Sequence, residues 1–513
     1  MRILLTLALQ GLAVLSAIAV ERPNVVLFLV DDMGWQDTSV PFWKEKTLAN
    51  QHFRTPNMER LAKQGRKFTN AHACAVCTPS RVSIMTGLNA ARHGTTNWTL
   101  RGETSGKTPR LEAPEEWKRQ GLQPGPHKTL PERLRDDFGY RTIHAGKAHW
   151  GGVDTAGADP LQLGYDVNIG GHAAGAPGHY HGQQNFGKKE NSVWDVPGLD
   201  IYHGTETHLT EATTTEALKA VADAVRAEKP FFLNLAHYAV HTPLQAHPRY
   251  LANYEGKTYP GTDIKIPQAE AIYASMIEGM DASLGHVLDS LDQLGIAEDT
   301  LVLFASDNGG LSYHSRKKTP RGTGRDTHCW PLREGKGSAY DGGTRIPMIV
   351  AWAKVDRRNM HQQRNPIMSA SKTNAPVLVE DFYPTILHWA AGVSQENLGV
   401  DGVDLTLAIL VANPDPRPLV FHYPHQWTGK PRGGYQPHSS IRQDGWKAIY
   451  FYENSQWELY HVDQDIGETT NLATSEPAHL AKLATALRNR LMTLTAHWPT
   501  NRQTGQPEPL KLP

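Results

Sequence analysis

The chain is poor in cysteine, with three in 513 residues, at positions 74, 77 and 329. Three thiols make a poor disulfide framework, so we expect no disulfide-based scaffold. Cys74 and Cys77 have the C-x-x-C spacing of a redox dithiol or of half a zinc site. A four-ligand zinc site needs further soft ligands, and the sequence contains no second pair of this spacing. The redox dithiol stays open as an alternative.

The chain also lacks an excess of charge of either sign, because 52 lysines and arginines balance 52 aspartates and glutamates. This balance does not indicate nucleic acid or an anionic membrane surface as a partner. Hydrophobic residues make up 39% and charged residues 20%, which fits a globular protein and not a disordered one. A chain of this length predicts two or more subdomains.

Long apolar runs are absent after the first 20 residues, so we expect no stable membrane insertion there. Near the start, Arg2 precedes an apolar run that ends in Ala17-Ile18-Ala19. This is the pattern of a secretory signal peptide, and the alternative of a membrane anchor is disfavoured because the run is short for a span. We predict a signal peptide at residues 1–19 and an exported protein, periplasmic or extracellular.

Four apolar segments each end in polar residues, and helical patterns at 210–228 and 271–295 lie among them. Continuous apolar runs are typical of strands buried on both faces. Strands alternating with helices predict an α/β fold with a large, mostly parallel sheet sandwiched by helices. In such sheets ligands bind beyond the carboxyl ends of the strands. The segments are NVVLFLVDDMGW (24–35), YRTIHAGKAHWG (140–151), KPFFLNLAHYAVHTP (229–243) and TLVLFASDNGG (300–310).

The last hundred residues have a different pattern. The composition becomes loop-like at NPDPRP (413–418). Residues 439–463 then read as short antiparallel strands with a turn at 453–455, and residues 476–498 as an amphipathic helix. We predict a catalytic domain at residues 20–415 and a smaller C-terminal subdomain of antiparallel sheet plus helix at residues 416–513.

Two polar pairs at strand ends predict a metal site. Asp31 and Asp32 follow the first apolar strand, and Asp307 and Asn308 follow the last. A single acidic pair at a strand end more often caps a helix or faces solvent. Two such pairs supply an all-oxygen ligand set, which favours calcium or magnesium over zinc or copper.

The segment CTPSRVSIMTG (77–87) resembles the C-x-P-S-R signature of the type I, formylglycine-dependent sulfatases, which belong to the alkaline phosphatase-like superfamily. The resemblance extends over nearly the whole chain after residue 19. DDMG and SDNGG resemble the two metal pairs of the family, and GKAHWG is similar to its Gly-Lys-x-His segment. HTP matches its substrate-facing histidine, and GKGSAYDGGTRIP (335–347) matches its late lysine motif.

The resemblance implies that a formylglycine-generating enzyme oxidises Cys77 to formylglycine, whose hydrate attacks the sulfur of a sulfate ester. It implies Ca²⁺, with Mg²⁺ as the alternative, held by Asp31, Asp32, Asp307, Asn308 and residue 77. It also assigns supporting roles to five side chains. Arg81 holds residue 77, Lys147 and Lys336 hold sulfate oxygens, His149 orients residue 77 or acts as a base, and His241 protonates the leaving oxygen.

Three loops supply candidate residues for binding the substrate. The basic loop YHSRKKTPRGTGR (313–325) contains Arg316 and Arg321, which suit an anionic glycan. The glycine-rich loop at 170–187 contains His179 and His181, and FHYPHQW (421–427) contains His425. Together with export, these loops predict an exo-acting enzyme on a sulfated carbohydrate.

Two further functions compete with a sulfatase. One is a phosphoesterase or phosphonate hydrolase of the same superfamily, and the other is a non-catalytic protein that binds sulfated glycan. The signature cysteine together with both lysines favours sulfate over phosphate. The presence of Cys77, the metal acids and Lys336 disfavours a binding function without turnover.

Overall fold

The structure is a computed structural model that describes residues 22–102, 106–188, 192–311, 328–410, 416–427 and 434–513. The predicted signal peptide, Arg316 and Arg321 lie outside these residues. Among the described residues, no helix is both long enough and apolar enough to span a membrane.

Fifteen strands lie in the described parts of the chain, and the four predicted apolar strands are confirmed as β1, β4, β6 and β7. The strands are β1 (Asn24–Val30), β2 (Arg66–His72), β3 (Leu111–Glu112), β4 (Arg141–Gly146), β5 (Val167–Ile169), β6 (Phe231–Ala236), β7 (Thr300–Ser306), β8 (Arg345–Trp352), β9 (Ser371–Thr373), β10 (Val377–Leu378), β11 (Leu419–Tyr423), β12 (His438–Gln443), β13 (Trp446–Phe451), β14 (Gln456–His461) and β15 (Thr500–Asn501).

Twelve α-helices lie in the same residues, and the two helices predicted between strands are confirmed as α6 and α7. The helices are α1 (Leu48–His52), α2 (Pro56–Gln64), α3 (Cys77–Thr86), α4 (Ala90–His93), α5 (Leu130–Glu132), α6 (Leu209–Arg226), α7 (Gln268–Gln293), α8 (Asp341–Thr344), α9 (Met360–Arg364), α10 (Phe382–Ala391), α11 (Thr406–Leu410) and α12 (Pro477–Thr493).

The large sheet has the strand order β10-β2-β8-β7-β1-β6-β4-β5, with β9 also paired to β2. Its strand pairs are parallel except that β8 runs antiparallel to β7 and β2. Side chains of β1 alternate between two cores. Val26 and Phe28 pack on the face covered by α2, α6 and α7, whereas Val25 and Leu27 pack on the face covered by α3 and α10. Burial on both faces explains why the strand is apolar throughout.

The C-terminal residues form a second sheet, as the sequence predicts. It is antiparallel, with the order β11-β12-β13-β14, and α12 packs against it. Ile441 and Leu459 from the sheet share a core with Leu483 and Leu487 of α12. The division at residue 415 stays a prediction, since β15 near the C-terminus pairs with β3 of the N-terminal part.

A buried ion cluster joins the two sheets. Asp341, at the start of α8, pairs with Arg442 of β12 at 2.5 Å and with Lys447 of β13 at 2.8 Å. Lys447 also contacts Glu468 at 2.8 Å, and the Glu468 side chain accepts from the backbone N–H of Asp341. All four residues are buried. Charges this far from water are tolerated only when they are paired and hydrogen-bonded.

We predict that Lys447→Met lowers the free energy of unfolding by about 3–5 kcal/mol, because it leaves two buried carboxylates short of a cation. The urea-unfolding midpoint measures this change. Lys482→Met is the matched control, since Lys482 is exposed on α12. Equal midpoints for the two variants would show that the cluster contributes no more than a surface lysine.

Candidate active site

The polar ends of neighbouring strands meet at one edge of the large sheet. β7, β1, β6 and β4 are adjacent and parallel, so their carboxyl ends lie side by side. The residues at these positions are ones that the sequence predicts to bind metal or to take part in catalysis. They are Asp31 and Asp32 after β1, Lys147 after β4, His241 beyond β6, and Asp307 and Asn308 after β7.

Each of the three carboxylates at this edge is paired with a cation from a different part of the chain. All six side chains are at most 2% exposed. Burying so many charges is tolerable only because each has an opposite charge in contact. The pairs are Lys147 Nζ to Asp31 Oδ2 at 2.6 Å, Lys336 Nζ to Asp32 Oδ1 at 2.6 Å, and Arg81 Nε to Asp307 Oδ2 at 2.8 Å.

The pKa values of the three carboxyls diverge. Burial and the nearby charge of Asp307 raise the pKa of Asp31 well above its usual range. Burial acts in the same direction on the other two, but Lys336, His241 and Lys147 together outweigh it and lower the pKa of Asp32. Arg81 similarly lowers the pKa of Asp307. Added positive charge between Asp31 and Asp307 would therefore relieve the repulsion that raises the pKa of Asp31.

Three oxygen atoms in this cluster are buried without a hydrogen-bond partner. They are Asp31 Oδ1, Asp32 Oδ2 and Asn308 Oδ1. Leaving such atoms unsatisfied is costly, and each is a hard ligand of the kind that Ca²⁺ and Mg²⁺ prefer. Cys77 Sγ and one carboxylate oxygen each of Asp31 and Asp307 lie within 4.8 Å of one another. The residues present therefore fit a divalent cation beside residue 77.

Helix α3 positions both the cysteine and the arginine of the signature. Cys77 is its first residue, all ten of its residues are buried, and it ends at Gly87, where φ is +68°. A helix N-terminus favours negative charge, which suits an anionic group bound at residue 77. Arg81 lies one turn further along, and its Nη1 donates to the backbone oxygen of Lys147 at 2.6 Å. This bond ties α3 to the end of β4.

The three cysteines are free thiols in the structure. The backbone N–H of Cys74 donates to Ser80 Oγ at 3.0 Å, and burial raises the pKa of the Cys74 thiol to about 12. A thiol with so high a pKa is a poor nucleophile for disulfide exchange. Cys329 lies against the backbone oxygen of Gly310, away from the other two. The redox alternative therefore has little chemical support.

His149 has a fixed orientation in the site. Its φ is +53°, a left-handed conformation that costs energy for a residue with a side chain. Nε2 lies 2.9 Å from the backbone oxygen of Thr99, which can only accept, so Nε2 carries the proton and Nδ1 is the basic nitrogen. Burial and the charge of Lys147 lower the pKa of His149 well below its usual value. Gly175 packs on the ring, where a Cβ would lie 2.4 Å from an imidazole atom.

His241 lies beside Asp32, one of the predicted metal ligands. Its Nε2 lies 3.6 Å from Asp32 Oδ2, and its Nδ1 donates to the backbone oxygen of Thr242 at 2.7 Å. Burial and the Lys336 charge lower the pKa of His241 to about 3. The hydroxyl of Tyr180 supports this loop, because it lies 2.9 Å from the backbone oxygen of His241. His241 is therefore held with Nε2 directed at the reacting groups.

A cavity of about 450 Å³ opens above Cys77. His149, His241 and Lys336 also line it, so four of the predicted catalytic residues share one space. Three tryptophans form much of the remaining wall. Trp98 and Trp194 cannot be recognised as site residues from the sequence, because no spacing distinguishes a cavity tryptophan from a core tryptophan. The other lining residues are Leu100, Gly175, Ala176, Thr242 and Trp427.

The predicted substrate-binding histidines do not line this cavity. His179 contacts His181, with ring centroids 5.4 Å apart, and His181 contacts the buried His208, with ring centroids 5.5 Å apart. His179 lines a neighbouring open pocket instead. His425 is fully buried, and its Nε2 is bonded to the Thr96 hydroxyl at 2.8 Å. Arg316 and Arg321 lie outside the described residues.

Comparison with known proteins agrees with this geometry. The sulfatase family model matches residues 23–393. A sulfatase of Formosa agariphila is 27% identical, with 92% of this chain and 88% of the relative covered. The N-acetylgalactosamine-6-sulfatase of Mus musculus is 28% identical, with 87% and 77% covered.

A solved structure extends this likeness to the fold. The crystal structure of Ps i-CgsB in complex with k-i-k-neocarrahexaose is 26% identical, covers 92% of this chain and 93% of its own, and has a TM-score of 0.66. The family model alone spans well over half of the residues, and the motifs it covers form the site described above. The chain belongs to the sulfatase family, whose members are sulfuric ester hydrolases with an alkaline phosphatase-like fold.

Proposed function

We propose that the protein hydrolyses the sulfate monoester of a sulfated carbohydrate, acting at a chain end, with Cys77 converted to formylglycine. The observation that carries this proposal is the position of Cys77 at the floor of the cavity, within 4.8 Å of two carboxylates and beside Lys336. An unmodified thiol suits this reaction poorly, because its sulfur would stay esterified. The hydrate of formylglycine supplies one hydroxyl as nucleophile and a second that allows sulfate to leave.

The conversion of Cys77 has to precede folding. Its side chain is 3% exposed at the first turn of a fully buried helix, so an enzyme cannot reach it in the folded protein. We infer that a formylglycine-generating enzyme acts on the unfolded chain. Export to the periplasm or the extracellular space follows from the apolar start of the sequence and is part of the same proposal.

The unpartnered oxygens support Ca²⁺ as the metal, with Mg²⁺ as the alternative. Asp31, Asp32, Asp307 and Asn308 would hold it together with residue 77. A set of several carboxylate and amide oxygens suits the all-oxygen coordination of Ca²⁺, whereas Mg²⁺ usually keeps several waters and takes only one or two carboxylates. A divalent cation there would offset the negative charge of sulfate oxygens and lower the pKa of the hydroxyl of residue 77.

The buried cations bind the sulfate group and stabilise the transition state. Lys336 lines the cavity and Lys147 lies behind it, so both face the position where negative charge develops. Arg81 keeps Asp307 charged and fixes α3 against β4. Since these groups are already ordered by ion pairs, they do not reorganise during the reaction.

The two histidines serve opposite proton transfers. Nδ1 of His149 is basic in the tautomer that the contact of Nε2 with Thr99 implies, and it can accept a proton from the second hydroxyl of residue 77. Nε2 of His241 can protonate the leaving alcohol oxygen. Burial and the Lys336 charge lower its pKa, but an anionic sulfate ester brings negative charge beside it and favours the protonated form.

The wall of the cavity supports a sugar as the alcohol. Trp98, Trp194 and Trp427 surround a space of about 450 Å³, a volume typical of a small-molecule site, and tryptophan faces suit the apolar faces of a sugar ring. Two of the similar proteins carry names that involve carbohydrates: an N-acetylgalactosamine-6-sulfatase and a complex with k-i-k-neocarrahexaose. A cavity of this size accommodates one terminal sugar, which agrees with exo action.

We predict that co-expression with a formylglycine-generating enzyme converts Cys77 to the aldehyde or its hydrate. Mass spectrometry of the tryptic peptide 68–81 measures the loss of sulfur at that position. Cys74→Ser is the matched control and keeps the conversion, because the neighbouring thiol takes no part in it. If the wild-type peptide retains both thiols while a known sulfatase is converted in the same cells, the proposed mechanism is wrong.

Metal removal gives a second prediction. Adding Ca²⁺ to chelator-treated protein should raise the thermal unfolding midpoint, with a stabilisation of about 2.7 kcal/mol at a metal concentration 100-fold above Kd. Asn308→Ala should weaken this response, since it removes an unpartnered buried oxygen. Asn397→Ala, an exposed position, should respond like wild type.

An unchanged response in Asn308→Ala would remove this residue from the ligand set, and a larger response to Mg²⁺ would reverse the choice of metal.

The role of His241 predicts a dependence on the leaving group. His241→Ala should lower kcat for galactose 6-sulfate by about 10²–10⁴-fold, because an alkoxide leaves badly without a proton. The loss should be far smaller for 4-nitrophenyl sulfate, whose leaving group needs none. His286→Ala, exposed on α7, serves as the control. Equal losses on both esters would contradict the assignment, and faster turnover of galactose 6-phosphate by wild type would favour a phosphoesterase.

A further inference from the structure

A second cavity, of about 530 Å³, lies apart from the catalytic one and shares no lining residue with it. We call it the seam cavity, because it lies where the large sheet meets the segment that follows β14. The segment after β1 and the edge formed by β2 and β9 complete its wall. It is lined by Trp35, Phe42, Trp43, Lys44, Thr69, Arg345, Lys372, Thr373, Asn374, Val462, Asp463, Gln464 and Ile466.

One side of the seam cavity consists of aromatic rings that are already fixed. Trp35 and Phe42 are buried apart from their edges on the cavity, whereas Trp43 is partly exposed. Trp43 packs edge-to-face on Trp330, with ring centroids 5.4 Å apart. The guanidinium of Arg345 lies 4.2 Å from the ring centroid of Trp35. These contacts hold the rings in place without a ligand, which lowers the entropic cost of binding one.

The other side of the seam cavity carries an excess of lysine. Lys67 of β2 and Lys372 of β9 are direct partners across the strand pair. Like charges at such positions destabilise a sheet. Among the described residues, no carboxylate offsets the repulsion between Lys67 and Lys372. Burial and the charge of Lys372 both lower the pKa of Lys67. Lys67 turns inward and donates to the backbone oxygen of Pro41. Lys372 and Lys44 line the cavity. The Lys44 side chain is 76% exposed, and its Nζ lies 3.8 Å from the exposed carboxylate of Glu45, a pair that solvent screens.

The third side is polar and nearly neutral. Asp463 is the one acidic residue that lines the seam cavity, and Arg442 lies 3.8 Å from its carboxylate. The side chains of Asn374 and Gln464 add amide donors and acceptors. A ligand that fits must therefore combine an anion for the lysines, an apolar face for Trp43 and hydroxyls for the amides. A sulfated sugar has all three.

We propose that the seam cavity is a second, non-catalytic binding site for a sulfated sugar unit, which holds another part of a glycan bound by the protein. Its sulfate lies between Lys372 and Lys44, and its ring stacks on Trp43. The inference goes beyond the proposed catalytic function, since it needs neither formylglycine nor a metal. It depends on that function only in expecting the natural ligand to be a sulfated glycan.

Affinity electrophoresis tests the seam cavity with dextran sulfate in the gel and unsulfated dextran as the matched polymer. Lys336→Ala, which alters the catalytic cavity and not the seam cavity, is run beside the wild type to show how much of the retardation comes from the catalytic cavity. Dextran sulfate should retard the wild-type protein, and dextran should not. Lys372→Ala and Trp43→Ala should each raise the apparent Kd for dextran sulfate at least fivefold. Lys482→Ala removes the same charge from α12 and should behave like wild type. Circular dichroism checks that each variant is folded.

Three outcomes would overturn the seam site. Both variants could bind like wild type, Lys482→Ala could weaken binding as much as Lys372→Ala, or Lys372→Ala alone could weaken it while a folded Trp43→Ala does not. The last two results would indicate charge attraction without recognition of a sugar. Turnover of a small sulfate ester by wild type is measured separately, so a failed sulfatase proposal and a failed seam site give different results.

Discussion

The balance between three buried carboxylates and three buried cations governs this structure. A parallel sheet places Asp31, Asp32 and Asp307 at the ends of two adjacent strands, where their mutual repulsion would be severe in isolation. Lys147, Lys336 and Arg81 each reach one carboxylate from a separate element. All three carboxylates are therefore neutralised only when β4, α3 and the segment before α8 are packed together. The charges proposed to bind an anionic substrate are the same ones that hold these elements together.

The segment 335–347 extends this constraint to the C-terminal sheet. Lys336 at its start faces the metal pair, whereas Asp341 a few residues later pairs with Arg442 and Lys447 in the second sheet. Between them, Gly337 has φ +86° and packs so closely on Trp427 that a Cβ would lie 2.3 Å from the indole. Trp427, which follows β11 of the C-terminal sheet, thus contributes a wall of the cavity above Cys77.

The glycine-rich loop, which the sequence predicts to bind substrate, instead packs against the two histidines proposed to be catalytic. The glycine-rich loop at 170–187 provides Gly175, which packs on the His149 ring, and Tyr180, whose hydroxyl contacts the backbone of His241. Aromatic side chains, not the predicted histidines, face the substrate space. The seam cavity shows the same combination of fixed rings and lysines at a distance from the reaction. Sugar recognition in this protein is therefore expected from tryptophan faces with a few charges.

The sequence by itself determined the parallel sheet and predicted that Cys77 lies beside Asp31 and Asp307, because these features depend on local patterns: apolar runs, acids at strand ends and the signature around Cys77. It could not decide which histidines face the cavity, since burial and direction depend on packing between distant elements. His425 is enclosed by the N-terminal domain, and Trp98 and Trp194 reach the cavity from loops without regular spacing. The lysine pair of the seam cavity arises only when β2 and β9, 300 residues apart, become neighbours. A motif of adjacent residues can be recognised in the sequence, whereas contacts between distant segments exist only in the folded chain.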